Sequence, residues 1–367
     1  METLHIEAVS DAAFSEMENA WQNLLYQSNV DKLFLSWHWM HNWWTLYRNP
    51  SDELLVLTII KKGVLIGIAP LYISIDTTVK YLPNIRRVMF LGTAKQGFSG
   101  FRTEYLEIIS TPPNGNDVCS AVFAYIRDRY SLDELFMIDV VVNSCTYTAL
   151  DQFVTTTNCH KRIQSKNVSY LVDTQGSFEE YLKTLGKNSR LQIYNRRKNL
   201  QKLGKIELVQ LGQDAFEDVF SLISNFHSSR WDNPIVFDTH KLFVRQLSKN
   251  AIISATGFIL KVDENIIGAS FDIKCGSSIY NFQLGFQDMT DQKLSIGLIT
   301  LGYALENCFA ASDITAFDLL AGNGKLSNYK SRIASEGIYM ESAQYVFSTL
   351  YKLLYTFRNL YIKFLRR

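Results

Sequence analysis

Residues 257–274 read GFILKVDENIIGASFDIK, and residues 54–73 read LLVLTIIKKGVLIGIAPLYI. Each is a β-branched apolar run broken by a short polar turn, Asp263-Glu264-Asn265 in one and Lys61-Lys62-Gly63 in the other. Runs of this composition around such a break predict a β-hairpin. Gly67 and Gly268 both fall early in the second strand, so the two stretches read as copies. The segments downstream of the two hairpins agree. After the first hairpin, strands near Arg87–Leu91 and Glu104–Ile109 lead to a helix from about Asp117 to Tyr130, then to a strand Leu135–Val142 carrying Asp139. After the second, a strand Ser278–Phe286 leads to a helix Ser295–Ala310 and a strand Ile314–Leu320 carrying Asp318. The spacing predicts hairpin, strand, helix and charged strand twice over, an α/β (α+β) layered architecture in duplicate. Residues 1–165 form one expected half and 166–367 the other.

The 367 residues hold 37 Lys+Arg and 36 Asp+Glu, a net charge of +1. That balance argues against a dedicated DNA binder, which carries a basic excess. Apolar residues make up 47% and there are six prolines, so the composition is that of a folded chain without long disordered linkers. The opening METLHIEAVSDAAFSEMENAW has no leader-like basic and apolar pattern. Val64–Ile75, the longest apolar run, is interrupted by Gly67 and Pro70 and falls short of the roughly 20 residues a spanning helix needs. Cys119, Cys145, Cys159, Cys275 and Cys308 form no CxxC pair, which suits a reducing cytoplasm. His38 and His41 lie three apart with no nearby carboxylate or thiol to complete a metal site, so we expect no metal.

Two segments stand apart by charge. Ser177 and Glu180 form a capping-box pattern that opens a helix over 177–205. Within it, Tyr181 to Lys205 carries eight basic residues and no acidic one, a local charge of +8 in 25 residues. A solvated helical face and a rim that steers a polyanion both account for it. Leu182, Leu185, Ile193, Leu200 and Leu203 provide the stripe that packs it. In the tail, 345–367, Val346, Leu350, Leu353, Phe357, Leu360 and Phe364 recur at spacings of three and four among Lys352, Arg358, Lys363, Arg366 and Arg367. Such a helix packs on its own domain or makes peripheral contact with an anionic bilayer. Packing is the expectation.

No nucleophile elbow, HExxH or phosphate-binding loop occurs, and no GxGxxG opens a helix after a strand. The candidate chemistry lies in two passages of the second half. In Tyr280–Phe286 (YNFQLGF) through Lys293–Thr300 (KLSIGLIT), a strand leads to a helix start. Ser295 is placed there to cap, and Gly297 to let a ligand approach the backbone. The N–H groups and positive dipole end of that first turn, Leu294, Ser295, Ile296 and Gly297, suit a pyrophosphate. In Phe317–Ser335 (FDLLAGNGKLSNYKSRIAS), a strand ends at Asp318, a glycine-containing loop turns, and Tyr329-Lys330 opens the next helix. Carboxyl ends of strands are where open α/β sheets bind ligands.

These passages resemble the acyltransferase domain of the GNAT superfamily. More specifically they resemble its CelD-like, cellulose-biosynthesis-type branch, whose members are also similar to the Fem peptidyltransferases. Trp21 and Leu24, Phe34–Trp39 with Trp43-Trp44, Ala69-Pro70-Leu71, and Phe226-His227 with Arg230-Trp231 fit the same branch. The resemblance implies tandem GNAT-like domains, each a mixed, mostly antiparallel sheet flanked by helices, with the first half structural or shaping the acceptor site. It implies an acyltransferase that uses an acyl-CoA co-substrate and no metal. The acceptor is an amino sugar or similar small amine, in surface-polysaccharide synthesis. By the same resemblance, backbone N–H groups of Gln283, Leu284 and Gly285 form an oxyanion hole, and Leu294–Gly297 hold the coenzyme A pyrophosphate. Tyr329 protonates the departing thiolate and Lys330 stabilises developing charge. Asp318, or after it His227, takes the acceptor's proton, and Arg230 and Trp231 bind the acceptor. Only Ser295-Ile296-Gly297 stands where simple GNAT enzymes carry a fuller glycine-rich signature, so coenzyme A, a carrier protein and aminoacyl-tRNA stay open as carriers. The alternatives are an aminoacyl-tRNA-dependent Fem-like transferase and a non-catalytic, membrane-peripheral scaffold.

Overall fold

The computed structural model describes residues 4–76, 84–94, 101–212, 215–228, 238–287, 294–322 and 329–365. The chain divides into two compact units, one of Met1–Phe98, Arg102–Asn167 and Tyr339–Arg367, the other of Ser99–Phe101 and Val168–Ile338. The strands are β1 His5–Ala8, β2 Glu53–Lys61, β3 Val64–Asp76, β4 Ile85–Phe90, β5 Ile109–Ser110, β6 Glu134–Val141, β7 His160–Asp173, β8 Ile206–Leu211, β9 Ile253–Val262, β10 Asn265–Cys275, β11 Ser278–Phe286, β12 Ala316–Asp318 and β13 Glu336–Val346.

In the first unit the order is β1-β2-β3-β4-β6-β13, with β5 on the edge of β3. The β2–β3 hairpin and β4 are antiparallel, whereas β4 and β6 are parallel. Parallel neighbours need a crossover, and the helix Gly115–Arg129 supplies it. The indole cluster lies in the helix Trp37–Tyr47, capped by Ser36, with Trp39, Trp43 and Trp44 buried. Trp43 sits 5.4 Å from Tyr72 of β3, ring to ring. The strand expected over Glu104–Ile109 shrinks to Ile109–Ser110 and one bridge, Leu106 to Val140, next to Tyr105 with its left-handed φ of 56°.

In the second unit the order is β12-β11-β10-β9-β8, with the part of β7 from Val168 on paired to β12 through Leu171–Asp173. It repeats the plan: the antiparallel hairpin β9–β10, then β11, the helix Ile296–Ala310, and β12 parallel to β11. The duplication expected from sequence is therefore the architecture found.

The sequence expectation needs correction in two places. The tail does not stay with the second half. From Tyr339 on it belongs to the first unit, because β13 pairs antiparallel with β6 from Met340↔Val141 to Val346↔Glu134. The basic segment is not one helix either. It runs Phe178–Thr184, Lys187–Arg190, a π-helical turn Leu191–Asn195 and Arg197–Leu200. The capping box of Ser177 and Glu180 forms. Leu182, Leu185, Ile193 and Leu200 are buried as the stripe demands, but Leu203 is exposed. Among the described residues no helix is long and apolar enough to cross a membrane. Nor does any group of three or more His, Cys, Asp or Glu among them gather to hold a metal ion.

Candidate active site

The second unit's parallel pair comes apart. β11 and β12 pair over only three positions, Ser278↔Ala316, Ile279↔Phe317 and Tyr280↔Asp318. β11 then runs on to Phe286 with β10 as its partner among the described residues. Its register slips where Asp272 faces Asn281 and Phe271 faces Gln283, leaving Phe282 as the extra residue of a β-bulge. A bulge bends its strand and re-aims the groups beyond it. Further along, the Gln287 N–H donates to Ile267 O of β10 at 2.9 Å. By strand alternation Gln283 and Gly285 also face β10, and the Leu284 N–H and C=O turn to the open edge.

A buried polar knot fixes the bulge. Asn281 Nδ2 donates to Asp272 Oδ1 at 2.6 Å and to Ser270 Oγ at 3.2 Å, and Ser270 Oγ donates to Asp272 Oδ2 at 2.8 Å. Burial pushes the Asp272 carboxyl up to about 7, against its two hydrogen-bond donors. This gives a pH signature. The unfolded chain releases the Asp272 proton near 3.8 and the folded chain near 7, so the group makes stability fall as pH rises between those values and adds nothing further above them. In Asp272→Asn that contribution vanishes. Paired thermal melts then show wild type losing ground to the variant from about pH 4 to pH 7 and holding level above, whereas a difference flat with pH overturns the assignment.

Two clusters lie at the ends of the parted strands. At β11, His227, in the last turn of the helix Phe216–Ser228, brings Nε2 to 3.3 Å from Leu284 O. A carbonyl only accepts, so Nε2 carries the hydrogen and a neutral ring keeps its lone pair on Nδ1. At β12, Lys330 Nζ donates to Leu319 O at 2.7 Å and Leu320 O at 2.8 Å. Its ammonium is thus turned into the strand end and away from bulk water. Tyr329 packs against the core of this unit, and burial raises its phenol, which therefore keeps its proton at neutral pH. Asp318 Oδ1 accepts from Ser169 Oγ at 3.0 Å and from the Leu320 N–H at 2.7 Å. Leu320 has a φ of 54°, so this buried carboxylate secures the left-handed turn on which Lys330 rests.

The start of the Ile296–Ala310 helix departs from expectation. Ser295 has a φ of 44° and does not cap with its side chain. A capping residue needs an extended backbone to reach back to the first turn. The Ser295 hydroxyl instead accepts from Arg196 Nη1 at 2.6 Å, which sets a guanidinium beside the helix start. Leu294 and Ile296 bury their side chains in the core, so only their backbone faces outward chemistry. Gly297 makes room for protein: a Cβ there would lie 2.5 Å from the Phe286 ring. Of the eight cations in the basic segment, Arg197 is buried, 3.6 Å over the Tyr303 ring and paired with Glu306. Lys183 pairs with Glu179. Arg230 and Trp231 lie outside the described residues.

Sequence reasoning included Arg196 only as one of the eight cations of the basic segment, and it missed Ser169 and the knot around Asp272. A carboxylate inside the apolar run GASFDIK was a readable signal for Asp272. Nothing local marks Ser169 as the partner of a residue so far along the chain.

The corresponding edge in the first unit is occupied. There β4 and β6 pair over Arg87↔Glu134 and Val88↔Leu135. Leu106 then bridges Val140, and its N–H donates to Asp139 O at 3.0 Å. Asp139 itself, with a φ of 48°, is bound by Arg102 and Asn167 at 2.8 Å each.

Residues 187–331 match the acetyltransferase (GNAT) domain family. That span contains the bulged strand, the helix start and the Tyr329-Lys330 pair. Among solved structures, the chain is similar to a crystal structure of FemX, with a TM-score of 0.61 and 10% identity over 95% of this chain and 99% of that one. A conserved protein of unknown function from Bacteroides thetaiotaomicron gives a TM-score of 0.53 at 9% identity, covering 94% and 100%. The C-terminal domain of a putative lysylphosphatidylglycerol synthetase from Agrobacterium fabrum gives 0.51 at 10%, covering 95% and 96%. At such identities the likeness is one of fold. No curated protein sequence matches the chain. The architecture is GNAT-like, a mixed and mostly antiparallel sheet with flanking helices in each unit.

Proposed function

We propose that this chain is an acyl-CoA-dependent N-acyltransferase acting on an amino sugar or similar small amine, of the CelD-like branch and serving surface-polysaccharide synthesis. The observation that carries the reading is the edge of β11 beyond Tyr280, unpaired by any strand among the described residues, where the Leu284 amide is turned away from β10. The Leu284 N–H held there acts on a thioester oxygen as charge develops, and the Gln283 and Gly285 amides expected beside it face β10 instead and do not join it. The backbone of Leu294–Gly297, joined by Arg196, takes the pyrophosphate, since a helix start and a guanidinium reinforce one another toward an anion.

The two clusters carry the proton traffic. Asp318, or after it His227, takes the acceptor ammonium's proton; Asp318 Oδ1 also holds the Leu320 turn, and His227 meets the Leu284 carbonyl through Nε2. Tyr329 gives its proton to the departing sulfur, and Lys330 stabilises the charge. Arg230 and Trp231 bind the acceptor. The occupied edge in the first unit supports a structural or acceptor-shaping role there. The cytoplasm supplies both substrates.

A thermal-shift series with acetyl-CoA and longer acyl-CoAs tests this. At a hundredfold excess over Kd, binding adds about 2.7 kcal/mol and raises the melting temperature by roughly 5–10 °C. No shift at saturation overturns the reading. The fold likeness to FemX gives the aminoacyl-tRNA alternative a place in the same experiment. Stabilisation by charged tRNA that fades steeply with salt, with none by acyl-CoA, assigns the carrier the other way.

A further inference from the structure

The helix Thr349–Leu365 has one face too many. Tyr351 is buried against Ile85 and Val346 of the first unit, with Leu354 and Tyr355 packed beside it. The Tyr355 hydroxyl donates to Glu134 Oε2 at 3.0 Å, and Arg162 lies 3.9 Å over its ring. That face docks the helix. The stripe singled out in the sequence is a different one. Val346 ends β13, and Leu350, Leu353, Phe357 and Leu360 are 42%, 54%, 66% and 57% exposed. Their spacings of three, four and three put them on one side of the helix. The expected packing of the tail is thus real, but the residues that pack are the tyrosines, and the leucine–phenylalanine stripe is left outside.

Charge says what covers it. Residues 342–367 carry five cations, Lys352, Arg358, Lys363, Arg366 and Arg367, and no acidic residue. A second copy apposed through this stripe would bring five positive charges against five more. An anionic surface is the complement. The helix is too short in apolar length to cross a bilayer, so it suits the interface plane, apolar side down and cations at headgroup level.

We propose that the exposed face of Thr349–Leu365 seats the protein peripherally on an anionic phospholipid membrane. The proposal stands apart from the acyl-transfer reading, and neither test depends on the other. It is tested by flotation of the full chain with vesicles of phosphatidylglycerol and phosphatidylethanolamine, against vesicles of phosphatidylcholine alone. The wild-type protein floats about tenfold or more better with the anionic vesicles. Raising salt from about 0.1 M to about 1 M, which shortens the Debye length from roughly 10 Å to 3 Å, weakens that binding. The double variant Leu353→Ser, Phe357→Ser loses about tenfold or more of it while keeping the wild-type melting temperature, since both side chains lie outside the core. Equal flotation of wild type and double variant overturns the proposal. So does a wild-type chain that ignores anionic vesicles, including one that sediments as a dimer dispersed by the double variant, which assigns the stripe to a second copy.

Discussion

Lys330→Met leaves the chain folded and able to bind acyl-CoA but lowers turnover by about a hundredfold or more, roughly 2.7 kcal/mol of transition-state stabilisation. Methionine keeps the length of the stem and deletes the charge. What it removes is an ammonium held by the Leu319 and Leu320 carbonyls at the end of β12, in a half-buried setting where charge stabilisation is worth far more than in water. The companion variant Tyr329→Phe keeps the ring in the core and deletes the proton donor, a loss of about 10²–10⁴ for a general acid. The two are told apart by the leaving group. An acyl thioester of a more acidic thiol needs less help from a phenol, so it rescues Tyr329→Phe and not Lys330→Met. Single-turnover kinetics beside acyl-CoA titrations separate chemistry from binding. Wild-type turnover in both variants removes this pair from the mechanism.

How far the sequence carries depends on how local each feature is. The hairpins β2–β3 and β9–β10 are legible because their alternation and their turns are contiguous in the chain, within 53–76 and 253–275. The Ile296–Ala310 helix is legible as one long apolar run, and the capping box at Ser177 needs only four neighbouring residues. The misses are nearly all long-range. The tail joins the first unit through pairing of β13 with β6, two hundred residues back in the chain, and no periodicity in the tail announces that partner. Its amphipathic stripe is a real stripe but not the packed face, because Tyr355 has partners in Glu134 and Arg162 and Tyr351 packs on Ile85 and Val346. Ser295 reads as a cap because serine before a helix usually is one. Its left-handed backbone hands the hydroxyl to Arg196 instead. At the site, the residue types and their order are readable, and the parting of β11 from β12 is expected only through the family resemblance.

Gly302→Ala is expected to run against helix propensity. In the interior of an exposed helix, glycine costs up to about 1 kcal/mol relative to alanine, so propensity alone makes this substitution stabilising. Here a Cβ would stand 2.1 Å from the Ile193 carbonyl oxygen and 3.0 Å from its carbon. Both are backbone atoms of the π-helical turn Leu191–Asn195, and no rotamer change moves them aside. The turn has to shift. It is followed at once by Arg196, which holds Ser295, and Arg197, which stacks on Tyr303 and pairs with Glu306. The overpacking costs about 3 kcal/mol, a fall of roughly 6–12 °C in the second unit's melting transition. Acyl-CoA protection falls with it, because the guanidinium at the helix start is displaced. Gly212→Ala is the control: nothing lies within 4 Å of a Cβ there, and the melting temperature stays where it was. A gain in stability for Gly302→Ala would mean that the π turn yields freely. The close approach of Ile193 would then play no part in breaking the basic segment into short helices and setting Arg196 against the helix start.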